Sequence, residues 1–247
     1  MTPKSAIFAA DMGREKVFRF KRFAVLNDRT AMKVGTDGVL LGAWCPVQGA
    51  RRVLDVGTGC GVIALMIAQR NSEAIIEAID IDSTAIEEAT LNFTNSPWND
   101  RLTAMEGDFN SMETENRYDL IVSNPPYFTS GVLPTGEART TARHTRSLTY
   151  RDLIEGATRL LTPDGTLALI SPTDARGDII QAATFASLSI GHCTQVISTT
   201  GAAPKRTLWQ FSRHHIPYQE DTLTIANSDG SFTREYITLT RDFYLKM

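Results

Sequence analysis

The sequence contains few cysteines and histidines. The three cysteines, Cys45, Cys60 and Cys193, are far apart and odd in number, so they indicate neither a disulfide framework nor a metal knuckle. We expect them to be small buried apolar residues. The four histidines show no ligand spacing such as His-Glu-x-x-His, and no metal site is predicted.

The chain also lacks the apolar segments that direct proteins to membranes. It has no run of about eighteen apolar residues, and its first residues lack the apolar core of a signal peptide. We therefore expect a cytoplasmic protein with no membrane partner. With 247 residues and 42% hydrophobic content, the chain can bury a sizeable core in one large α/β domain or two small ones.

Charge is distributed unevenly along the sequence. Residues 1–52 hold ten Lys or Arg against four Asp or Glu, whereas residues 53–135 hold three against thirteen. A basic cluster attracts a phosphate backbone, and Lys21, Arg22, Arg29 and Lys33 are candidates for such contacts. A solvated amphipathic segment would explain the same charges equally well.

Apolar runs separated by turn residues predict alternating strands and helices, with no repeat or linker that divides the chain. Strands are predicted at 51–56, 75–80, 102–105, 118–122, 166–170, 194–199, 206–214 and 222–226, and a strand or hairpin at 17–26. Helices are predicted at 39–44, from 62 onward, and at 83–95, 150–161, 173–187 and 232–245. Helix caps are expected from Thr36 or Asp37 and from Ser83 or Thr84.

The stretch around which the sequence is organised is Ser123-Asn124-Pro125-Pro126-Tyr127, which follows the apolar run 118–122. It should lie at the carboxyl end of a buried parallel strand, where open α/β sheets bind ligands. Two prolines fix φ and offer no N–H donors, so the turn is stiff and presents carbonyl oxygens. Such a row of acceptors suits a flat, amine-bearing group, although Asn-Pro-Pro is also an ordinary loop sequence.

A glycine turn, Gly57-Thr58-Gly59-Cys60-Gly61, follows the predicted strand 51–56. The glycines allow a tight turn and a close approach of a ligand to the backbone, as in dinucleotide sites. The spacing is Gly-x-Gly-x-Gly, however, and Asp55 precedes it. A carboxylate beside the turn disfavours a pyrophosphate and favours a ligand that carries an ammonium group.

Two further acids stand at the ends of the next predicted strands. Asp80 lies about twenty residues beyond the glycine turn, from where a carboxylate can accept from both hydroxyls of a ribose. Asp108 could accept from the exocyclic amine of an adenine while the ring of Phe109 packs on that base. Either acid alone is more often a cap or a turn residue, but three acids at successive strand ends are not expected by chance.

With these residues the sequence resembles the class I S-adenosylmethionine-dependent methyltransferases. Residues 53–61 match the first motif of that class, and residues 124–127 match the signature of amino-methyltransferases. Asp80 matches the ribose-binding acid, and Asp108 with Phe109 matches the adenine-binding pair. The segment 31–44, the Ser-Pro-Trp at 96–98 and the terminal pattern 236–245 look like the bacterial valine-tRNA adenine-N6 methyltransferase family, which modifies the adenosine beside the anticodon, position 37.

The resemblance implies a Rossmann-like α/β fold with a mostly parallel seven-stranded sheet, helices on both faces and a small N-terminal extension. Residues 1–45 would form a basic, cofactor-covering segment and residues 46–247 the methyltransferase domain. The cofactor would be S-adenosylmethionine and its product S-adenosylhomocysteine. The cofactor-binding residues would be Thr36, Asp37, Asp55, Gly57, Thr58, Gly59, Gly61, Asp80, Ile81, Asp108, Phe109 and Asn124.

The catalytic residues implied by the resemblance are Asn124, Pro125, Pro126 and Tyr127. The target would be an adenosine N6 in tRNA, and the active form would be a monomer. The candidate RNA contacts are Lys21, Arg22, Arg29, Lys33, Phe128 and Arg143. Methylation of protein glutamine at N5 and of adenine in ribosomal RNA or DNA are alternative functions, because a side-chain amide or another adenine could bind to the same Asn-Pro-Pro turn. A catalytically silent cofactor- or RNA-binding module is the non-enzyme alternative.

Overall fold

An eight-stranded sheet forms the centre of the computed structural model, which describes residues 16–30, 33–126 and 148–247. The strands are β1 Val17–Arg19, β2 Ala24–Leu26, β3 Arg52–Val56, β4 Ile75–Asp80, β5 Leu102–Glu106, β6 Tyr118–Ser123, β7 Leu161–Pro172, β8 Ser189–Thr199, β9 Arg206–Ser212 and β10 Gln219–Ala226. The helices are α1 Thr36–Trp44, α2 Val62–Arg70, α3 Ser83–Thr94, α4 Tyr150–Leu160, α5 Arg176–Phe185 and α6 Arg234–Thr240.

The strand order of the main sheet is β10-β8-β9-β7-β6-β3-β4-β5. All of its pairs are parallel except those that β9 makes with β7 and β8. The predicted α/β class with a mostly parallel sheet is therefore confirmed, but the expected count of seven strands is one too low. The extra strand is β10, which pairs with β8 at the edge of the sheet.

The core lies on both faces of the sheet, because successive side chains of a strand point to opposite faces. Val53 of β3 and Leu120 of β6 belong to one apolar cluster together with α1, α2 and α6. Leu54 and Ile121, their neighbours in sequence, belong to the second cluster together with α4 and α5. Central strands buried on two sides explain the nearly continuous apolar runs in the sequence. The three cysteines are buried and free, as expected.

The N-terminal segment packs into the same core as the rest of the chain. The hairpin of β1 and β2 places Phe20 between Phe23 and Tyr244, with ring centroids 4.5 and 6.1 Å away. In α1, Gly42 lies so close to α2 that a Cβ there would be 2.8 Å from the Met66 sulfur. The division at residue 45 stays a prediction, and the residues on its two sides share one apolar cluster.

Two of the predicted helix caps are wrong. The first helix begins at Thr36, and its N-cap is Gly35, which makes no side-chain cap bond. Asp82 rather than Ser83 or Thr84 caps α3, accepting from the Thr84 N–H at 2.9 Å. An extended residue directly before the helix is the one whose side chain reaches the free N–H groups of the first turn.

Gly156 is expected to be irreplaceable in α4, because a Cβ there would lie 2.5 Å from the Phe109 ring. Ala gains about 1 kcal/mol of helix propensity over Gly, but overpacking a buried ring costs about 1–3 kcal/mol. Gly156→Ala should therefore lower the free energy of unfolding by up to about 2 kcal/mol, measured by urea denaturation.

The matched control is Gly177→Ala in α5, where an added Cβ would meet nothing within 4 Å. That variant should be as stable as the wild type or more stable by up to about 1 kcal/mol. If both variants were equally stable, the contact between Gly156 and Phe109 would not limit the packing.

Candidate active site

A cavity of about 710 Å³ opens at the carboxyl ends of β3, β4, β5 and β6. In parallel strands these ends meet at one edge of the sheet, so the turns that follow them come together. The predicted residues on its wall are Lys33, Thr36, Asp37, Gly57, Thr58, Gly59, Asp80, Ile81, Asp108, Phe109, Asn124 and Pro126. Tyr127, Phe128 and Arg143 lie outside the described residues.

The glycine turn is held by backbone hydrogen bonds from the neighbouring strand. The N–H groups of Gly57 and Thr58 both donate to the Ile79 carbonyl, at 2.8 and 3.1 Å. Gly57 and Gly59 have φ of 69° and 55°, and a Cβ on either would meet no atom within 4 Å. Their open sides leave the space that a ligand needs to approach the backbone.

Gly61 has a different reason to be glycine. Its φ is 82°, and a Cβ there would be 2.5 Å from the Phe93 ring on α3. It does not line the cavity. The third glycine of the motif therefore permits close packing of the turn on α3, and its predicted contact with a ligand is not supported by its position.

Asp55 lies beneath the glycine turn with no exposed surface and is not on the cavity wall. One carboxylate oxygen accepts from the Thr58 hydroxyl at 2.7 Å and from the Ala64 N–H at 3.2 Å. The other oxygen is buried and has no hydrogen-bond partner among the described residues. In this arrangement Asp55 fixes the turn and the start of α2, and its predicted contact with the cofactor stays a prediction.

Asp80 combines a structural role with a place on the cavity wall. Its carboxylate accepts from the N–H groups of Gly59 at 2.9 Å and Asp82 at 3.0 Å. Two carboxylate oxygens have about four lone-pair sites, so acceptor capacity remains for hydroxyl groups. The next side chain, Ile81, is 44% exposed and offers an apolar surface at the same place.

Asp108 and Phe109 occupy a short 3-10 turn, Phe109–Ser111, after β5. Asp108 accepts from the Asn110 N–H at 2.9 Å and lines the cavity. The Phe109 ring is only 4% exposed and packs against Gly156 in the second apolar cluster. The expectation that this ring packs on a bound adenine stays a prediction: the ring lines the cavity, although α4 covers most of its surface.

Asn124 is brought to the cavity by the pairing of β6 with β3. Val56 is opposite Ser123 in the parallel ladder, and the Ser123 hydroxyl donates to the Val56 carbonyl at 2.8 Å. The glycine turn and the Asn-Pro-Pro turn thus start side by side. Asn124 is 9% exposed and lies on the cavity wall with Pro126, whereas Pro125 is buried.

The start of α1 forms another part of the wall. Asp37 accepts from the Arg206 side chain at 2.8 Å, which links the first turn of α1 to the beginning of β9. Lys33 also lines the cavity, and its ammonium group donates to the Asp28 carbonyl at 2.6 Å. The basic residue Arg206 was not singled out from the sequence, because nothing local shows that it meets residue 37.

Lys21 and Arg22 lie far from the cavity. The Arg22 guanidinium is 5.7 Å from the centroid of Trp98, which follows the far end of α3, and the Lys21 ammonium donates to the Arg241 carbonyl. Since α3 starts beside Asp80 and runs for 12 residues, the hairpin tip is separated from the cavity by roughly 18 Å. Their predicted contacts with the RNA stay predictions and would lie away from the cavity, while Arg29 pairs with Glu87 midway along α3.

Two residues that the sequence analysis missed, Glu88 and Asn92, lie on the buried face of α3. They fall on the same helical stripe as Ala85, Ala89 and Phe93. A carboxylate and an amide on an otherwise apolar stripe were the available signal, because polar groups are buried only with partners.

The charge of the cavity restricts what it can bind. Among the described residues its wall carries the carboxylates of Asp37, Asp80, Asp82 and Asp108 and a single ammonium group, that of Lys33. Such a wall disfavours a pyrophosphate and fits a ligand with cationic groups and hydroxyls. The described residues contain no group of three or more His, Cys, Asp or Glu placed to hold a metal ion. No helix in that part of the chain is long and apolar enough to span a membrane.

The strand order and the position of the cavity define a class I methyltransferase fold. A predicted O-methyltransferase from Agrobacterium tumefaciens superimposes with a TM-score of 0.67 at 19% identity, over 84% of this chain and 96% of that one. A putative class I S-adenosylmethionine-dependent methyltransferase from Listeria monocytogenes superimposes with a TM-score of 0.53 at 17% identity, over 77% and 62% of the two chains. Such likenesses show the fold alone.

Sequence comparison identifies the family. Residues 33–196 match the model of the methyltransferase small domain. The chain is 46% identical over 233 residues to a Bacteroides fragilis protein and 47% identical over 238 residues to one from Aeromonas salmonicida, covering 93% and 96% of this chain and 98% and 100% of theirs. Both relatives are named tRNA1(Val) (adenine(37)-N6)-methyltransferase. The chain belongs to this family.

The buried carboxyl group of Asp55 gives the stability a specific pH dependence. Burial raises its pKa from 3.8 to about 7, against the opposing effect of the bonds from Thr58 and Ala64. Below about pH 4 the carboxyl group is protonated in the folded and the unfolded protein, and the stabilisation is complete. Between about pH 4 and pH 7 the folded protein keeps a proton on Asp55 that the unfolded chain has lost. The free energy of unfolding therefore falls as pH rises, by up to about 1.4 kcal/mol per pH unit.

Asp55→Asn cannot ionise and should lose this slope. Urea denaturation of both proteins across that pH window should show the wild type losing stability relative to the variant as pH rises. Parallel stability curves would mean that Asp55 keeps an ordinary pKa in the folded protein.

Proposed function

We propose that the protein transfers a methyl group from S-adenosylmethionine to the N6 atom of adenine 37 in tRNA1(Val), with S-adenosylhomocysteine as the other product. The name of its relatives supports the substrate. The structural observation that carries the proposal is the common cavity wall shared by Asn124, the glycine turn and Asp80. Asn124, which can bind an amine, and Asp80, which can bind a ribose, therefore lie in one site.

The residues on the cavity wall fit S-adenosylmethionine. Asp80 has acceptor capacity for the ribose hydroxyls, and Asp108 for the amino group of the adenine. Ile81 offers an apolar surface to that base. The carboxylates around them favour a ligand that carries a sulfonium and an ammonium group, and the open sides of Gly57 and Gly59 admit it close to the backbone.

The Asn-Pro-Pro turn would act on the target amine. Bound S-adenosylmethionine supplies an electrophilic methyl group. The N6 atom of adenine is a poor nucleophile because its lone pair is delocalised into the ring. The Asn124 side-chain oxygen and the Pro125 carbonyl can each accept one N6 hydrogen, which orients the lone pair and stabilises the positive charge that develops on nitrogen. A strong general base is not needed, since the proton on the cationic nitrogen is acidic enough to leave to water.

Several parts of the proposal rest on the sequence. Tyr127 and Phe128 would stack on the target base, which must be unstacked from its neighbours to enter the site. Arg143 and the cavity residue Lys33 would contact the RNA backbone. We further propose that the enzyme acts as a monomer in the cytoplasm.

Asn124→Ala should lower the rate of methyl transfer by about 100-fold or more, since removing one preorganised hydrogen-bonding group costs about that much. The affinity for S-adenosylhomocysteine, measured by calorimetry, should change by less than about three-fold, because Asn124 is assigned to the amine. The rate is measured with a tRNA1(Val) transcript and labelled S-adenosylmethionine, and the labelled RNA is then digested to nucleosides to identify the modified one.

A transcript with guanine in place of adenine 37 is the matched control and should receive no label. Label on that transcript, or on protein or DNA instead of tRNA, would overturn the proposed substrate. A large loss of S-adenosylhomocysteine binding in Asn124→Ala would overturn the role assigned to that side chain.

A further inference from the structure

Glu88 of α3 is a fully buried carboxylate that holds three consecutive backbone N–H groups. One oxygen accepts from Asp28 at 2.7 Å and from Arg29 at 2.9 Å, and the other accepts from Thr30 at 3.1 Å. No ion pair to Glu88 occurs within the described parts of the chain, so the backbone itself solvates the charge. Successive N–H groups that converge in this way form an anion-binding nest.

Asn92, one helical turn further along α3, holds the same segment at a second point. Its amide oxygen accepts from the Leu26 N–H at 2.7 Å, and its amide nitrogen donates to the Leu26 carbonyl at 3.0 Å. The same nitrogen donates to the carbonyl of Cys60 in the glycine turn at 2.8 Å. We call residues 26–30 the strap. It is fastened to α3 at both ends and, through Asn92, to the glycine turn.

The strap leads directly to the cavity. Thr30, at its end, lines the cavity, and so do Lys33, Thr36 and Asp37 beyond it. This wall faces the glycine turn but comes from a part of the chain with no strand in the main sheet. The packing of α1 fixes its Asp37 end, whereas its Lys33 end depends on the strap: Lys33 donates to the Asp28 carbonyl at 2.6 Å, and the Val34 N–H donates to the Asn27 side chain at 3.1 Å.

A buried charge costs several kcal/mol unless it is fully hydrogen-bonded, so Glu88 tolerates few alternative positions of the strap. A hydrophobic residue on the same stripe would pack as well but would not select the positions of three N–H groups. The carboxylate thus defines the path of the strap rather than merely filling space.

We propose that Glu88 is a positioning residue for cofactor binding, which holds the strap so that Thr30, Lys33, Thr36 and Asp37 keep their places on the cavity wall around the ligand. The proposal rests on the proposed function for the identity of that ligand, S-adenosylmethionine. Its effect is expected on the affinity for the cofactor, because Thr36 and Asp37 of this wall are assigned to the cofactor and none of its residues is assigned to the reacting amine.

The test compares Glu88→Gln with Glu87→Gln in the full-length protein. Gln at 88 keeps the shape but replaces one acceptor oxygen by an amide NH2 that faces N–H donors. Glu87 is the next residue of the same helix; its side chain is 69% exposed, and it loses only a surface pair with Arg29 at 3.7 Å.

Glu88→Gln should raise the Kd for S-adenosylhomocysteine and the KM for S-adenosylmethionine by about ten-fold, with kcat within about three-fold of wild type. Hydrogen exchange should accelerate at Asp28, Arg29 and Thr30 more than in α2. A variant that is only less stable would lose active protein, and hence apparent kcat, without a change of Kd. Glu87→Gln should match the wild type within about two-fold in all these measurements.

Should Glu88→Gln be too unstable to purify, Asn92→Asp loosens the other end of the strap, and hydrogen exchange that accelerates at Asp28 to Thr30 more than at Gly57 to Cys60 separates an effect through the strap from one through the glycine turn. This variant keeps the acceptor for the Leu26 N–H, removes both donors, and should weaken S-adenosylhomocysteine binding in the same direction. An unchanged Kd in a folded variant of either residue, or an equal loss in Glu87→Gln, would overturn the proposal. These binding measurements need no tRNA, so failure of the wild type to methylate tRNA1(Val) would count against the proposed function alone.

Discussion

The site depends on the way the carboxyl ends of β3 and β6 are joined. Val56 and Ser123 are opposite one another in a parallel ladder, and the Ser123 hydroxyl donates to the Val56 carbonyl. The residues that follow, Gly57 and Asn124, therefore begin the two turns that face the cavity. A shift of one residue in this register would exchange the faces to which the side chains of a strand point. The buried apolar residues on both faces of these strands make such a shift costly.

The acids at the strand ends serve first to build the turns that contain them. Asp80 holds Gly59 and Asp82, Asp108 holds Asn110, and Asp55 holds Thr58 and Ala64. A cap and a ligand-binding residue are thus not alternatives for Asp80 or Asp108, since a carboxylate has acceptor sites for both roles. For Asp55 the choice is different, because burial leaves it no surface. The three acids are therefore distinguished by their depth below the edge of the sheet: Asp80 and Asp108 line the cavity, and Asp55 is buried beneath it.

The sequence predicted what depends on local pattern and failed where distant segments meet. Apolar runs located the strands of the main sheet, and the turn residues located the cavity edge. The burial of Phe109 could not be foreseen, because it depends on Gly156 in a helix that follows much later in the chain. The pairing of Asp37 with Arg206 is likewise invisible in the sequence, since 169 residues separate them. The resemblance to a family suggested seven strands, whereas the residue pattern itself already contained the run that forms β10.

The basic residues of the N-terminal segment lie in separate places, from the cavity to the far end of α3. The segment runs along α3 from the hairpin tip, near Trp98, to the strap held by Glu88 and then to the cavity. Its charges are therefore spread over the length of that helix, roughly 18 Å, rather than gathered at the site. Lys33 lies on the wall of the cavity in which the proposed function places the target nucleotide. Lys21 could reach only a part of a folded RNA well away from that nucleotide, so a contact there would add affinity for the RNA without influencing the reacting base.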